Sequence, residues 1–243
     1  MMMRASPNWD ALAPYWHCFE TSGLDKPILS ALMSCLKPHV LYIGGGRGTY
    51  ASHLSKWVGR QNITIVDSSL AMARRAKSDF GLNYDLADVR YLPFPDSHFG
   101  SAICATGVFE YLDPIDRITS LREMSRVCFP GNPVVITAFS DPGQVNQTPL
   151  EANEHPLLEK WFQHEELLSF PERKFVLPFN AVAREMGDRD KAYRLLRDSL
   201  PPQDKLITGS EFAAAISASG LFVRSMRFVA ERGIGIWTLS AEI

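Results

Sequence analysis

Over residues 39–139 short β-branched runs alternate with longer amphipathic stretches, the pattern of a parallel sheet with crossover helices. His39-Val-Leu-Tyr-Ile43 reads as a buried strand that ends in glycines. The next stretch carries Tyr50, Ala51, Leu54, Trp57 and Val58 at helical spacing, with Gly59 as its stop. Ile63-Thr-Ile-Val66 is a second strand ending on Asp67, after which Ser68 or Ser69 can cap a helix bearing Leu70, Ala73 and Ala76. Tyr84 to Ala87 and Ser101-Ala-Ile-Cys-Ala105 are further strands. Asp113-Pro114 has the form of an N-cap followed by proline at the first helical position, and Ile115, Ile118, Leu121, Met124 and Cys128 recur behind it. Gly131 closes that helix, and Pro133 to Phe139 is the next strand.

The rhythm then changes. Residues 140–207 contain several prolines, no convincing strand and two helical patterns, one with Leu157, Leu158, Trp161, Phe162 and Leu168, the other with Val182, Met186, Tyr193 and Leu196. A structureless loop of that length is improbable in a compact domain, so the segment is expected to be a helical cap inserted into an α/β frame. Its aromatics Trp161, Phe162, Phe170, Phe175 and Phe179 suit an apolar pocket for a small organic substrate. Thr208-Gly-Ser-Glu211 fits a capping box for a helix that ends at Gly220. Two strand-like runs, Phe222 to Val229 and Ile234 to Ser240, lie close enough in the chain to form an antiparallel hairpin.

Composition narrows the choice of function. With 243 residues, 46% apolar and 21% charged, the chain suits one large domain or a domain with an addition. The net charge of −2 argues against a dedicated nucleic-acid binder, which needs a basic face, and makes small molecules the default ligands. Cys18, Cys35, Cys104 and Cys128 form no Cys-x-x-Cys pair and no zinc-ligand spacing with a histidine, so free thiols in a reducing cytoplasm and no metal are expected. No apolar run reaches the ~18 residues of a spanning helix, and no export signal is expected.

Gly44-Gly-Gly-Arg-Gly48 sits between a strand and a helix, where glycine allows positive φ and lets a ligand approach the backbone. The phosphate-cradling loop would need a lysine that Arg47-Gly48-Thr49 does not supply in register, and a dinucleotide fingerprint would need glycine where Thr49 stands. Gly-x-Gly-x-Gly remains, with a plain tight turn as the alternative. Asp67, 23 positions after Gly44, ends the next strand, where a carboxylate can accept from both hydroxyls of a ribose.

Taken in order, Val40-Leu-Tyr-Ile-Gly-Gly-Gly-Arg-Gly-Thr49, Val66-Asp67, the Asp88…Leu92-Pro93-Phe94…Phe99 run, Thr106-Gly-Val-Phe-Glu-Tyr-Leu112, Leu121-Arg-Glu-Met-Ser-Arg-Val127 and Pro130-Gly131 resemble the class I S-adenosylmethionine-dependent methyltransferases, in particular the ubiquinone/menaquinone-type branch. The resemblance implies a Rossmann-like, doubly wound, mostly parallel seven-stranded sheet with an antiparallel C-terminal edge hairpin. It implies S-adenosyl-L-methionine as cofactor, with Gly44, Gly45 and Gly46 against its amino-acid part and Asp67, with Ser68 beside it, at the ribose. Asp88 and Val89 would read the adenine, and Ala105 and Thr106 would face the methionyl amine. Within residues 1–38, Trp9 to Tyr15 looks like the segment that folds over the cofactor, with Tyr15 as a contact. Tyr42 stands where the family usually has an acidic residue.

The expected reaction is methyl transfer to a small organic acceptor by in-line displacement, helped mainly by positioning and exclusion of water. If a base is needed, Glu110, Tyr111 and His155 are the candidates, with His164 behind them and His53 read as structural. Two other readings stand beside it. In one, the same fold cyclises or cleaves S-adenosylmethionine with release of methylthioadenosine; in the other, the chain is a non-catalytic binding or partner subunit. A monomer or homodimer is expected, acting without nucleic acid or membrane.

Overall fold

The computed structural model describes residues 7–19, 36–104, 107–140, 179–199, 209–231 and 234–242. A short helix α1 (Trp9–Leu12) continues as a 3-10 turn over Ala13–Cys18. The frame then runs β1 (Val40–Ile43), α2 (Thr49–Val58), β2 (Ile63–Asp67), α3 (Leu70–Phe80), β3 (Tyr84–Leu86), β4 (Ser101–Cys104), α4 (Pro114–Val127) and β5 (Val134–Ser140). Helices α5 (Phe179–Met186), α6 (Arg189–Ser199) and α7 (Gly209–Ser219) precede β6 (Phe222–Glu231) and β7 (Ile234–Glu242).

The strands form one sheet in the order β3-β2-β1-β4-β5-β7-β6. β1 lies between β2 and β4 and runs parallel to both, β2–β3 and β4–β5 are also parallel, and β7 is antiparallel to β5 and to β6. Strand order therefore reverses between β1 and β4. That switch point opens a crevice at the carboxyl ends of the strands, where doubly wound sheets bind ligands.

Period-two alternation builds a core on each face of the sheet. Leu41, Ile43, Val66, Ala102 and Ile136 pack with Leu121 and Met124 of α4 and Phe212 and Ile216 of α7. Val40, Tyr42, Ile65, Ile103 and Val135 face the other way, onto Ala51 and Leu54 of α2 and Ala76 of α3. A third core lies off the sheet: Leu12, Val182, Ala183, Ala192 and Leu196, with Trp9, Tyr15, Trp16 and Phe19 packed against them, join the N-terminal segment to α5 and α6. A backbone bond from Asn8 N–H to the Ser199 carbonyl (2.8 Å) closes it.

Helix signals are used largely as read. Asp113 accepts from the Asp116 amide at 2.8 Å ahead of Pro114, and Ser69, of the two serines, caps α3 by accepting from Met72 N–H at 3.1 Å. Three apolar residues depart from their expected faces: Trp57 is 72% exposed, and Leu70 and Ile115 also face solvent. On α2 the buried stripe runs through Ser52 and Ser55. Their hydroxyls donate to the Thr49 and Ser52 carbonyls at 2.8 Å, so these small polar residues enter the core with their bonds made while Trp57 is left off the stripe.

Candidate active site

The glycine loop leaves β1 at the switch point. Gly44 and Gly46 adopt positive φ (71° and 54°), which explains glycine at both. Gly45 is required by crowding: a Cβ there would lie 2.5 Å from Ile65 Cγ2 and 2.6 Å from the Tyr84 hydroxyl oxygen, which itself donates to the Gly45 carbonyl at 2.9 Å.

Asp67, at the end of β2, ties this loop to the next helix. Its Oδ2 accepts from Gly46 N–H (2.8 Å) and its Oδ1 from Ser69 N–H (2.9 Å), with the side chain deep in the crevice. Burial raises its carboxyl above the ordinary range, the Asp10 charge adds to this, and the amides of Ser69, Gly46 and Ser68 oppose it. Each oxygen keeps a lone pair beyond the amide it holds. A buried carboxylate fixed by backbone amides beside a loop without side chains suits a ligand that offers hydroxyl donors. Ser68 is exposed next to it.

After β4, Glu110 sits in the 3-10 turn Phe109–Tyr111, is 2% exposed and accepts from Gly107 N–H at 3.0 Å. Together with burial it pushes the Cys104 thiol well above its usual range. Tyr111 meets Trp9 edge-on at 5.1 Å, Trp9 meets Trp16 edge-on at 5.4 Å, and Trp16 stacks on Phe19 at 4.9 Å. This aromatic row carries the N-terminal segment across the carboxyl edge, bringing the Trp16 indole against Gly46, with Nε1 3.3 Å from where a Cβ would stand. Tyr15, next to it in the chain, is partly buried against the third core.

Asp10 anchors the same segment. Its Oδ1 accepts from the Ser69 hydroxyl (2.5 Å) and from Ala71 N–H (3.1 Å) at the start of α3, and these bonds, the hydroxyl first, hold its carboxyl below the usual range. Asp10 lies within the Trp9–Tyr15 segment expected over the cofactor and Trp16 just beyond it, but neither contact was foreseen, since the bond from Asp10 to Ser69 closes over 59 positions of sequence.

Asp88 is engaged by a neighbour that spacing did not reveal. Arg90 grips its carboxylate through Nε and a terminal nitrogen (2.9 and 2.6 Å), which holds Asp88 below the ordinary range, and it also reaches Asp116 at 2.8 Å. Val89 is buried in the core beside it. The loop beyond is fastened by Arg126, which donates to the Leu92 and Phe94 carbonyls (3.0 and 2.8 Å) and pairs with Glu123 at 2.7 Å. His53 lies on α2, and Ala105, Thr106, His155 and His164 lie outside the described residues.

Cys18, Cys104 and Cys128 are free thiols, as expected, and one of them lies in a group of potential ligands. His17 and Cys18 are adjacent in the chain, and the fold brings Glu185 of α5 to them: His17 Nε2 is 3.1 Å from Glu185 Oε2 and 3.6 Å from Cys18 Sγ. The Cys18 thiol is pushed up by burial and then by Glu185. The third member comes from 168 positions away, so no local spacing could have disclosed it.

A family model described as a methyltransferase domain matches residues 40–131, the stretch that holds the glycine loop, Asp67, Asp88 and Glu110. Over these residues the chain is similar to methyltransferase domains. The chain is 36% identical over 111 residues to the ubiquinone/menaquinone biosynthesis C-methyltransferase of Serratia proteamaculans, a match that covers 42% of this chain and 43% of that enzyme. The chain thus spans under half the length of the curated relatives it matches. Among solved structures, the methyltransferase fold is shared with a SAM-dependent methyltransferase from Aquifex aeolicus (TM-score 0.55, 16% identity, 90% of this chain and 89% of that one). It is also shared with a [4+2]-cyclase (TM-score 0.55, 14% identity, 90% and 80%).

Proposed function

We propose that the protein is an S-adenosylmethionine-dependent methyltransferase that transfers a methyl group to a small organic acceptor. The observation that carries this reading is the Asp67 carboxylate, buried at the switch point and bonded to Gly46 of a side-chain-free loop within the matched domain. S-adenosylmethionine, when bound, supplies a methyl group activated by a sulfonium. The residues here suit it: Gly44 to Gly46 leave room for its amino-acid end, Asp67 and Ser68 offer acceptors to ribose hydroxyls, and Asp88 with Val89 bounds the adenine side. Ala105, Thr106 and Tyr15 complete the proposed contacts.

For the acceptor, the chain's contribution is alignment and exclusion of water. The aromatic row from Tyr111 through Trp9 to Trp16 supports that, because it brings apolar rings from the Phe109–Tyr111 turn to Gly46 of the glycine loop. Glu110, Tyr111 and His155 are the candidate bases for an acceptor that starts protonated. In this reading one domain spans 1–243, residues 1–38 act as an N-terminal lid and 140–207 as a helical cap over the site. The third core, which joins parts of both, supports that division. The compartment proposed is the cytoplasm, with the chain a monomer or homodimer in a biosynthetic pathway. Among the described residues no helix is long and apolar enough to cross a membrane.

Tyr42, whose place before the glycines left room for a reaction other than methyl transfer, packs in the core beneath β1 among Val40, Ala51, Leu54 and Ile65. Calorimetry with S-adenosylmethionine and S-adenosylhomocysteine tests the proposal: binding in the micromolar range is expected, and affinity weaker than about 1 mM overturns it. Incubation with cofactor alone is expected to release no methylthioadenosine; its release would point to cleavage or cyclisation instead.

A further inference from the structure

We infer that His17, Cys18 and Glu185 form a site for one divalent zinc-class metal ion. Three potential ligand atoms, His17 Nε2, Cys18 Sγ and Glu185 Oε2, lie within 4.8 Å of one another. Hydrogen bonding accounts for only one of the two contacts to His17. Nε2 has one in-plane site: it either donates to the carboxylate or accepts from the thiol, and cannot do both. The ring's other nitrogen, Nδ1, is buried and makes no hydrogen bond among the described residues, so the imidazole is oriented from its Nε2 side, where oxygen and sulfur converge.

A cation resolves that convergence. Tetrahedral zinc with bonds of ~2.0–2.1 Å to nitrogen and oxygen and ~2.3 Å to sulfur sets its ligand atoms about 3.3 Å (N to O) and about 3.6 Å (N to S) apart. The corresponding separations here are 3.1 and 3.6 Å. The remaining edge, sulfur to carboxylate, closes by rotation of Glu185, whose side chain is 48% exposed on α5 and free to swing toward the thiol. A thiolate, an imidazole and a carboxylate make a donor set of zinc type, with one coordination position left for water or another small ligand. On binding, the Cys18 thiol gives its proton to solvent and the ion takes the thiolate.

The position gives the ion a structural consequence. It would staple the Ala13–Cys18 turn to α5, and Trp16, two residues before Cys18, is the side chain that lies against Gly46. Metal occupancy would therefore hold the segment covering the glycine loop. This inference does not depend on methyl transfer.

The test uses the full chain, freed of metal by chelator, titrated with zinc chloride and separately with cobalt chloride. One equivalent of zinc is expected to bind with a Kd of about 10 μM or tighter, and the cobalt form to show a thiolate-to-cobalt charge-transfer band in the near ultraviolet. C18S should abolish the band and weaken binding at least ~tenfold, while E185Q should keep the band and weaken binding several-fold. Hydrogen exchange of residues 9–18 should slow when zinc is added. Zinc affinity weaker than about 1 mM, a cobalt form without the band, a band that survives C18S, or an E185Q variant with unchanged affinity would each overturn the site. Circular dichroism checks the fold of C18S; should it fail to fold, E185Q, at a surface side chain, decides the matter alone.

Discussion

Leu41 and Tyr42 are neighbours in the chain and go to opposite cores of the sheet, whereas Leu12 and Leu196 are far apart in the chain and share one core. In the frame, strand alternation assigns each residue to a face, and parallel pairing of β1 with β2 and β4 locks the register. In the third core, a segment only ten residues long, Trp9–Cys18, is held by contacts to distant parts of the chain: the Asp10 cap on α3, the Asn8–Ser199 bond and the aromatic row. The residues over the glycine loop thus pack in a core distinct from the two cores beneath it. The lower unit shapes the site, and the upper one covers it.

The largest effects are expected from cavities in the two units. Leu41→Ala, at a fully buried frame position, should lower global stability by about 3 kcal/mol in urea unfolding. Leu196→Ala should cost about 2–3 kcal/mol as well, but be read locally, as faster hydrogen exchange in residues 9–18 and 182–196 with frame amides unchanged. Equal loss of protection in β1 and β4 would merge the two units into one and break the comparison.

Next comes Gly45→Ala. The added methyl meets Ile65 and the Tyr84 hydroxyl, so overpacking of about 1–3 kcal/mol is expected in thermal unfolding. S-adenosylmethionine affinity should fall more than ~tenfold, because the loop must shift. Unchanged affinity would separate the glycine loop from the cofactor site.

A smaller effect follows from Glu123, whose carboxyl Arg126 holds below its usual value. A carboxyl lowered on folding stabilises the protein above its unfolded pKa of ~4.3 and loses that contribution as pH falls through the folded value. Glu123→Gln should therefore cost about 1 kcal/mol near pH 7, with the gap to wild type closing toward pH ~3 in melting-temperature profiles. A constant gap across that range would mean that the pair's charge contributes nothing.

The smallest expected change is Asp10→Ala. Loss of an exposed cap on α3 should cost a few tenths to about 1 kcal/mol, with the exchange of residues 9–18 affected more than that of the frame. The reverse order would tie the segment to the frame and not to the third core.

Within residues 39–139 the sequence by itself determined the element order, a serine cap at 68 or 69 and the cap at Asp113, and the placing of Gly44 to Gly46 beside Asp67, while the structure chose Ser69 of the two serines. Each follows from local rules: period-two burial, satisfied helix ends, and a loop and a strand end brought together by parallel pairing of β1 with β2. Local spacing misplaced Trp57, because a helix face tolerates buried serine hydroxyls that bond to their own preceding turn. Tertiary structure alone decided that Trp16 lies against Gly46, that Asp10 caps α3 from a distant segment, that Arg90 occupies the Asp88 carboxylate, and that Glu185 completes a group with His17 and Cys18. Those contacts join side chains that local periodicity cannot relate, either because they are far apart in sequence or because a flexible arginine chooses its partner by charge. They form only when the folded frame has closed the distance.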